Sequence, residues 1–151
     1  MRRGIDVELI VKHFRELTLD ELVDIYKLRT AVFVVEQNCP YQEVDEADRV
    51  SYHLILKDRD GIEAYARVIP QGVLYEACSI GRIIAVKRRC GLGTRIVDAA
   101  IRVAKEKLGA DKITIKAQSY ACPLYIKFGF KQSSEEVIED GIPHMLMDLE
   151  L

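Results

Sequence analysis

The sequence predicts an α/β (α+β) fold, a mixed and mainly antiparallel sheet flanked by helices, and three observations carry that prediction. Short apolar segments come in hairpin-spaced pairs towards both ends of the chain, a long amphipathic pattern separates two β segments in the middle, and a basic glycine loop joins the first of these to the amphipathic segment. Hairpins around a central β-α-β unit leave both parallel and antiparallel neighbours in one sheet. The 151 residues match one domain of about 150, so residues 1–151 are read as a single domain, long enough to bury a core without disulfide or metal.

Residues 5–11, IDVELIV, alternate imperfectly and predict an opening strand. Thr18 and Glu21 have capping-box spacing, and Leu22, Ile25, Tyr26, Arg29 and Phe33 then recur at three and four residues, predicting a helix to about Val34. Pro40 and its acidic neighbours predict a loop, with Cys39 and Tyr41 as its less polar members. Residues 51–56 and 63–69 predict a hairpin turned at Asp58-Arg59-Asp60-Gly61, and residues 78–86 another strand. Residues 92–108 place Leu92, Ile96, Ala100, Val103 and Ala104 on one helical face, with Gly109 as the stop. Residues 112–116, KITIK, alternate cleanly. Pro123 opens a short helix carrying Leu124, Tyr125 and Phe128 and ended by Gly129. Phe130 begins a further strand, turned at Asp140-Gly141 into a last one over residues 142–149, which offers an edge for pairing in a dimer.

Composition excludes several classes of function. With 22 Lys plus Arg against 24 Asp plus Glu, net charge -2, no nucleic-acid partner is expected, because phosphate-backbone affinity needs a concentrated basic surface. No run approaches 18 apolar residues, so no membrane span is expected. Cys39, Cys78, Cys90 and Cys122 form no Cys-x-x-Cys pair, which points to a reducing cytoplasm and to no metal site. Two local charge features stand out. Residues 34–48 hold five acids (Glu36, Glu43, Asp45, Glu46, Asp48) and no base, while residues 82–95 hold five bases and no acid. The acidic stretch is either a solvated face or an attractor of cationic substrates.

Val86-Lys87-Arg88-Arg89-Cys90-Gly91-Leu92-Gly93-Thr94 follows a strand and opens a helix, where unpaired backbone N–H groups converge at the positive end of the helix dipole. Gly91 and Gly93 allow close approach of an anion, and Lys87, Arg88 and Arg89 add charge. Neither a Walker loop nor a full dinucleotide fingerprint is present. Read alone, the loop is either an anion site or a tight turn flanked by solvated bases.

Arg88-x-x-Gly91-x-Gly93 resembles the acyl-CoA pyrophosphate motif of the GNAT superfamily of N-acyltransferases, and Tyr125-Ile126-Lys127-Phe128-Gly129-Phe130 is similar to that family's Tyr-x-x-x-Gly-Phe segment. AVFVVEQNCPYQEVDEADR at 31–49, His53, AYARV at 64–68, IGR at 80–82 and EDGIPHMLM at 139–147 resemble its ElaA-like branch of small bacterial proteins. The resemblance implies a GNAT-like fold with a central β-α-β acyl-CoA-binding unit and acetyl-CoA or another short acyl-CoA as cofactor. It implies transfer to a primary amine of a small molecule, peptide or protein by a monomer or homodimer. The pyrophosphate would rest on amides between Arg89 and Gly93, with Lys87, Arg88 or Arg89 beside it and Cys90, Leu92 and Thr94 in the same turn. An N–H near Ile84 or Ala85, before Val86, would polarise the thioester carbonyl. Tyr125 would protonate the leaving thiolate, and Glu36, His53 or His144 would be the base. Two competing expectations are an acyl-CoA-binding regulatory module without turnover and an acyl-homoserine-lactone-synthase-like enzyme.

Overall fold

In chain order the strands are β1 (Glu8–His13), β2 (Tyr52–Asp58), β3 (Gly61–Ile69), β4 (Cys78–Ala85), β5 (Lys112–Gln118), β6 (Lys131–Gln132), β7 (Val137–Glu139) and β8 (Ile142–Glu150). The helices are α1 (Leu19–Arg29), α2 (Leu92–Leu108) and α3 (Cys122–Lys127). This computed structural model describes residues 6–87 and 91–151. The strands form one mixed sheet in the order β1-β2-β3-β4-β5-β8-β6, with β7 also paired to β8. Every pairing is antiparallel except that of β4 with β5. Among the described residues no helix is long and apolar enough to cross a membrane.

Amphipathic helices cover both faces of the sheet. The stripe Leu92, Ile96, Ala100, Val103 and Ala104 puts α2 into the main core with Leu54, Val68, Ile80 and Ile113, and Gly109 ends the helix in the left-handed region at φ 60°. On the opposite face α1 buries Ile25 against Ile55, Tyr65 and Ile84. The Thr18–Glu21 capping box starts α1, with Glu21 N–H donating to Thr18 Oγ1 at 3.0 Å and Thr18 N–H to Glu21 Oε1 at 2.8 Å.

The α-helix stops at Arg29, short of the predicted Val34, and continues as a π-helix over Thr30–Glu36. The wider turn is evident in bonds from Gln37 N–H to Val32 O and from Cys39 N–H to Val34 O. Thr30, Val32, Val34 and Val35 crowd this stretch with β-branched side chains, which fit a tight α turn poorly.

One parallel pairing shapes the molecule. β4 and β5 pair only at Cys78–Ile113 and Ser79–Thr114 and then diverge. β3 holds the outer edge of β4, and β8 holds β5 along its whole length. The β3–β4 register slips between Tyr65 and Arg67, opposite Arg82, which has a φ of 53°. That slip is a bulge, and it bends β4 away from β5.

Two sequence expectations need correction. The last strand is not a free edge, because β5 lies on one side of β8 and β6 and β7 on the other. The strand expected from Phe130 is split in two, since Ser134 Oγ accepts the Leu146 N–H at 2.9 Å and displaces the backbone bond that would continue the ladder.

The acidic stretch is mostly folded inward, as neither a solvated face nor an array of free charge. Arg29, fully buried, donates from Nε to Glu43 at 3.0 Å and from Nη1 and Nη2 to Asp48 at 2.7 and 3.1 Å. Arg67 pairs with Asp45 and Asp48, and Arg82 pairs with Glu43. Three guanidiniums, supplied by α1, β3 and β4, thus balance Glu43, Asp45 and Asp48. Burial alone would push the Asp48 carboxyl up, but hydrogen bonds and charge from Arg29 and Arg67 outweigh it and hold Asp48 below the usual carboxylate range. His53 completes the cluster. Its Nε2–H donates to the Asp48 carbonyl at 3.0 Å, which leaves Nδ1 to accept from the Tyr65 hydroxyl at 2.6 Å.

Removing one charge from this network strands its partner in a dry site, so Asp48→Asn should lower unfolding stability by about 3–5 kcal/mol in urea titration. A second outcome concerns pH. Burial depresses the His53 pKa below its ordinary value, so between the two values the unfolded chain binds a proton that the folded one does not. Stability is therefore complete above the unfolded value of about 6.5 and falls as pH drops below it, by up to about 1.4 kcal/mol per pH unit. His53→Gln should flatten that decline in melts recorded between pH 7 and 5.

Candidate active site

Divergence of β4 from β5 opens a cleft of about 1040 Å³ that runs between them and under the π-helix and the β7–β8 turn. Val86 N–H donates to Glu63 O at 2.8 Å. Because alternate residues of an antiparallel strand point opposite ways, the N–H of Ala85, opposite Ala64, turns from β3 towards the gap. Ile84, Ala85, Val86 and Gly93 all line the cleft.

α2 begins where the strands are widest apart. Gly91, at φ 70°, is its N-cap and supplies no side-chain cap, while its carbonyl accepts the first helical bond from Arg95 N–H at 3.0 Å. The amides of Leu92, Gly93 and Thr94 therefore lack partners within the helix. At Gly93 an added Cβ would lie 3.8 Å from Leu124 and 3.9 Å from Ala85, ordinary contacts that the protein itself would tolerate. Packing does not force a glycine there, which leaves close approach from the cleft as its physical use.

Tyr125, on α3, stands on the cleft wall at 8% exposure with its ring edge-on to Phe130. No described group bonds its hydroxyl, and burial pushes the phenol further above its ordinary value, so it stays a proton donor at any physiological pH. His144, half-buried on β8, lines the cleft opposite Gln118. Its Nδ1–H donates to the Ile142 carbonyl at 2.8 Å, which directs the lone pair to Nε2. Glu36, the last residue of the π-helix, is exposed at the rim.

The structure brings Tyr125, His144 and Glu36 to one cleft with the Ala85 amide and the start of α2, and it separates other expected residues from it. His53 is fully buried behind Asp48 with both ring nitrogens bonded, so no nitrogen is open to a substrate. Lys87 is drawn away by Asp58, Asp60 and Glu63 at 3.1, 3.5 and 3.3 Å. Leu92 points its side chain into the core, and Thr94 is exposed outside the cleft. Arg88, Arg89 and Cys90 lie outside the described residues.

Several cleft residues escaped sequence reasoning. Arg67, Arg82 and Asp45 form part of one wall, Asp140 sits in the β7–β8 turn, and Lys116 spans to Glu139 at 2.9 Å. Arg67 had a visible signal, because EAYARVI places an arginine in line with Tyr65 and Ile69 on a face that the pattern reads as buried.

A family model described as an acetyltransferase (GNAT) domain matches residues 22–151. The chain is 43% identical over 150 residues to the UPF0039 protein C11D3.02c of Schizosaccharomyces pombe, covering 97% of this chain and 99% of that one. The crystal structure of Escherichia coli ElaA superposes with a TM-score of 0.90 at 32% identity, covering 96% of this chain and all of ElaA. That of an acyl-CoA N-acyltransferase from Pseudomonas aeruginosa gives 0.86 at 35% identity, covering 93% and 98%. Acyl-homoserine lactone synthases such as BjaI, at 15% identity and a TM-score of 0.78, share the fold alone.

Proposed function

The chain belongs to the GNAT acetyltransferase family of acyl-CoA N-acyltransferases, within its ElaA-like branch, and from that premise we propose that it moves an acetyl group from acetyl-CoA to a primary amine by direct attack. One observation carries this reading. The inner edges of β4 and β5 are free beyond Ser79 and Thr114, and the gap between them ends at the uncapped N-terminus of α2. A slot with exposed main-chain donors and acceptors suits an extended amide chain, and a helix start suits the diphosphate attached to it.

Bound acetyl-CoA supplies an activated thioester. The rest is the protein's part. The amides of Leu92, Gly93 and Thr94 hold the diphosphate. The Ala85 N–H, flanked by Ile84 and Val86, bonds the acyl oxygen as negative charge gathers on it, and removal of one such donor typically costs about 3–4 kcal/mol of barrier lowering. A substrate ammonium of ordinary pKa near 10.4 is neutral in about one molecule per few thousand at pH 7, a penalty of about 4–5 kcal/mol. His144 Nε2 takes that proton, and Glu36 at the rim favours arrival of the cation. Tyr125, kept protonated by its burial, donates to the departing sulfur.

Thiol release from acetyl-CoA in the presence of an amine panel tests the reading, and CoA binding without release would reduce the protein to a binding module. Tyr125→Phe and His144→Gln should each lower kcat by about 10²-fold. Gly93→Val should raise the KM for acetyl-CoA about tenfold, since its branched side chain would occupy the diphosphate seat; unchanged affinity would remove the cofactor from this loop.

A further inference from the structure

The buried network beside the cleft has more N–H groups than it uses. Arg29 spends all its donor groups inside the cluster: Nε on Glu43, Nη1 on Asp48 and Tyr65, Nη2 on Asp48 and the Glu43 carbonyl. Arg67 does not. Its Nη groups bind Asp45 and Asp48, but its Nε has no partner although the side chain is only 2% exposed. Arg82 uses Nε and Nη2 on Glu43, and no described group bonds its Nη1. Arg67 and Arg82 both line the cleft, whereas Arg29 does not.

The network's own acids do not serve these donors. Both oxygens of Asp45 are taken by Arg67, both of Asp48 by arginines, and both of Glu43 by Arg29 and Arg82. Glu36 and Asp140 line other parts of the cleft and make no ion pair among the described residues. One cleft therefore offers an unused guanidinium N–H group at Arg82 and, at Glu36 and Asp140, carboxylates outside any ion pair among the described residues. That pairing matches a zwitterion. A simple amine or a polyamine would satisfy the acids and leave the Arg82 donor unpaired once it closed that group off from water.

We propose that the acceptor is an amino carboxylate, its carboxylate seated by Arg82 Nη1 and its amine presented towards His144 and Glu36. The proposal rests on the N-acyltransferase reading above and narrows its substrate class. Arg82 is then a specificity residue. Tyr41, whose ring lies 5.7 Å from the Arg82 guanidinium carbon, and Glu43 fix its direction.

The test uses the intact protein, acetyl-CoA and matched acceptors: lysine with lysinamide and cadaverine, and phenylalanine with phenylalaninamide and phenethylamine. The carboxylate-bearing member of each set should show a kcat/KM higher by about tenfold or more, chiefly through KM, which is the scale of one charge-assisted hydrogen bond. Arg82→Met should bring that ratio towards one. Amides or decarboxylated amines acting as well as the amino acids would overturn the proposal, as would a ratio left intact by Arg82→Met. Should the variant fail to fold, as a melting curve would reveal, the wild-type ratios alone decide. Turnover of amines without the carboxylate preference sinks only this inference, while absence of thiol release from every member sinks the acyl-transfer reading and this one with it.

Discussion

Among the described residues no strand lies between β4 and β5 beyond Ser79 and Thr114, and the main-chain groups that face the gap are left without the partners a sheet would give them. Backbone N–H and C=O groups are seldom left so, because an unpaired one loses about as much as a hydrogen bond is worth. The opening persists because each strand is secured on its far side, β4 by β3 and β5 by the whole length of β8. The bulge at Arg82 turns β4 outward, and Leu124 of α3 stands close to Gly93 at the start of α2. Closing the sheet would require straightening the bulge and displacing a helix. The cleft is thus a property of how the strands are paired, and whatever fills it inherits a ladder of ready donors and acceptors.

The second wall has a different origin. Residues 37–50 contain one short 3₁₀ turn, Glu46–Val50, and otherwise no regular structure. Three arginines from α1, β3 and β4 fasten this segment to the sheet through Glu43, Asp45 and Asp48. An apolar cluster of equal volume would stabilise the chain as well or better, since desolvation offsets much of the attraction between buried charges. What ion pairs add is direction. Guanidinium forks accept carboxylates only in their own plane, so the segment is held in one orientation, and with it Tyr41 and the rim of the cleft.

Much of the fold was legible in the sequence because its signals are local. The α2 stripe, Gly109, the Thr18–Glu21 box and the Asp58–Gly61 turn each depend on residues within a few positions of one another, and each lies where the pattern put it. Gly91, at the start of α2, follows the same local rule. Pairings distant in sequence were not legible. Nothing near Lys87 announces Asp58, Asp60 and Glu63, and the acidic run looks unpaired until Arg29, Arg67 and Arg82 arrive from three other elements. His53 shows the limit most plainly, since an imidazole on a strand reads equally as a base or as a packed side chain, and only the positions of Tyr65 and Asp48 decide between them.

The fate of Lys87 also bears on the proposed diphosphate seat. Asp58, Asp60 and Glu63 surround one ammonium there, so Lys87 is committed to the end of the β2–β3 hairpin. Two exposed charges separated by more than about 8–10 Å are largely screened in physiological salt. A hydrogen bond from an amide acts at contact and escapes that screening. The first turn of α2 supplies several such amides in fixed directions, and Gly93 leaves them open from the cleft side without being required by packing. Main-chain geometry at the start of α2 is therefore the part of this mouth that is set by the fold itself.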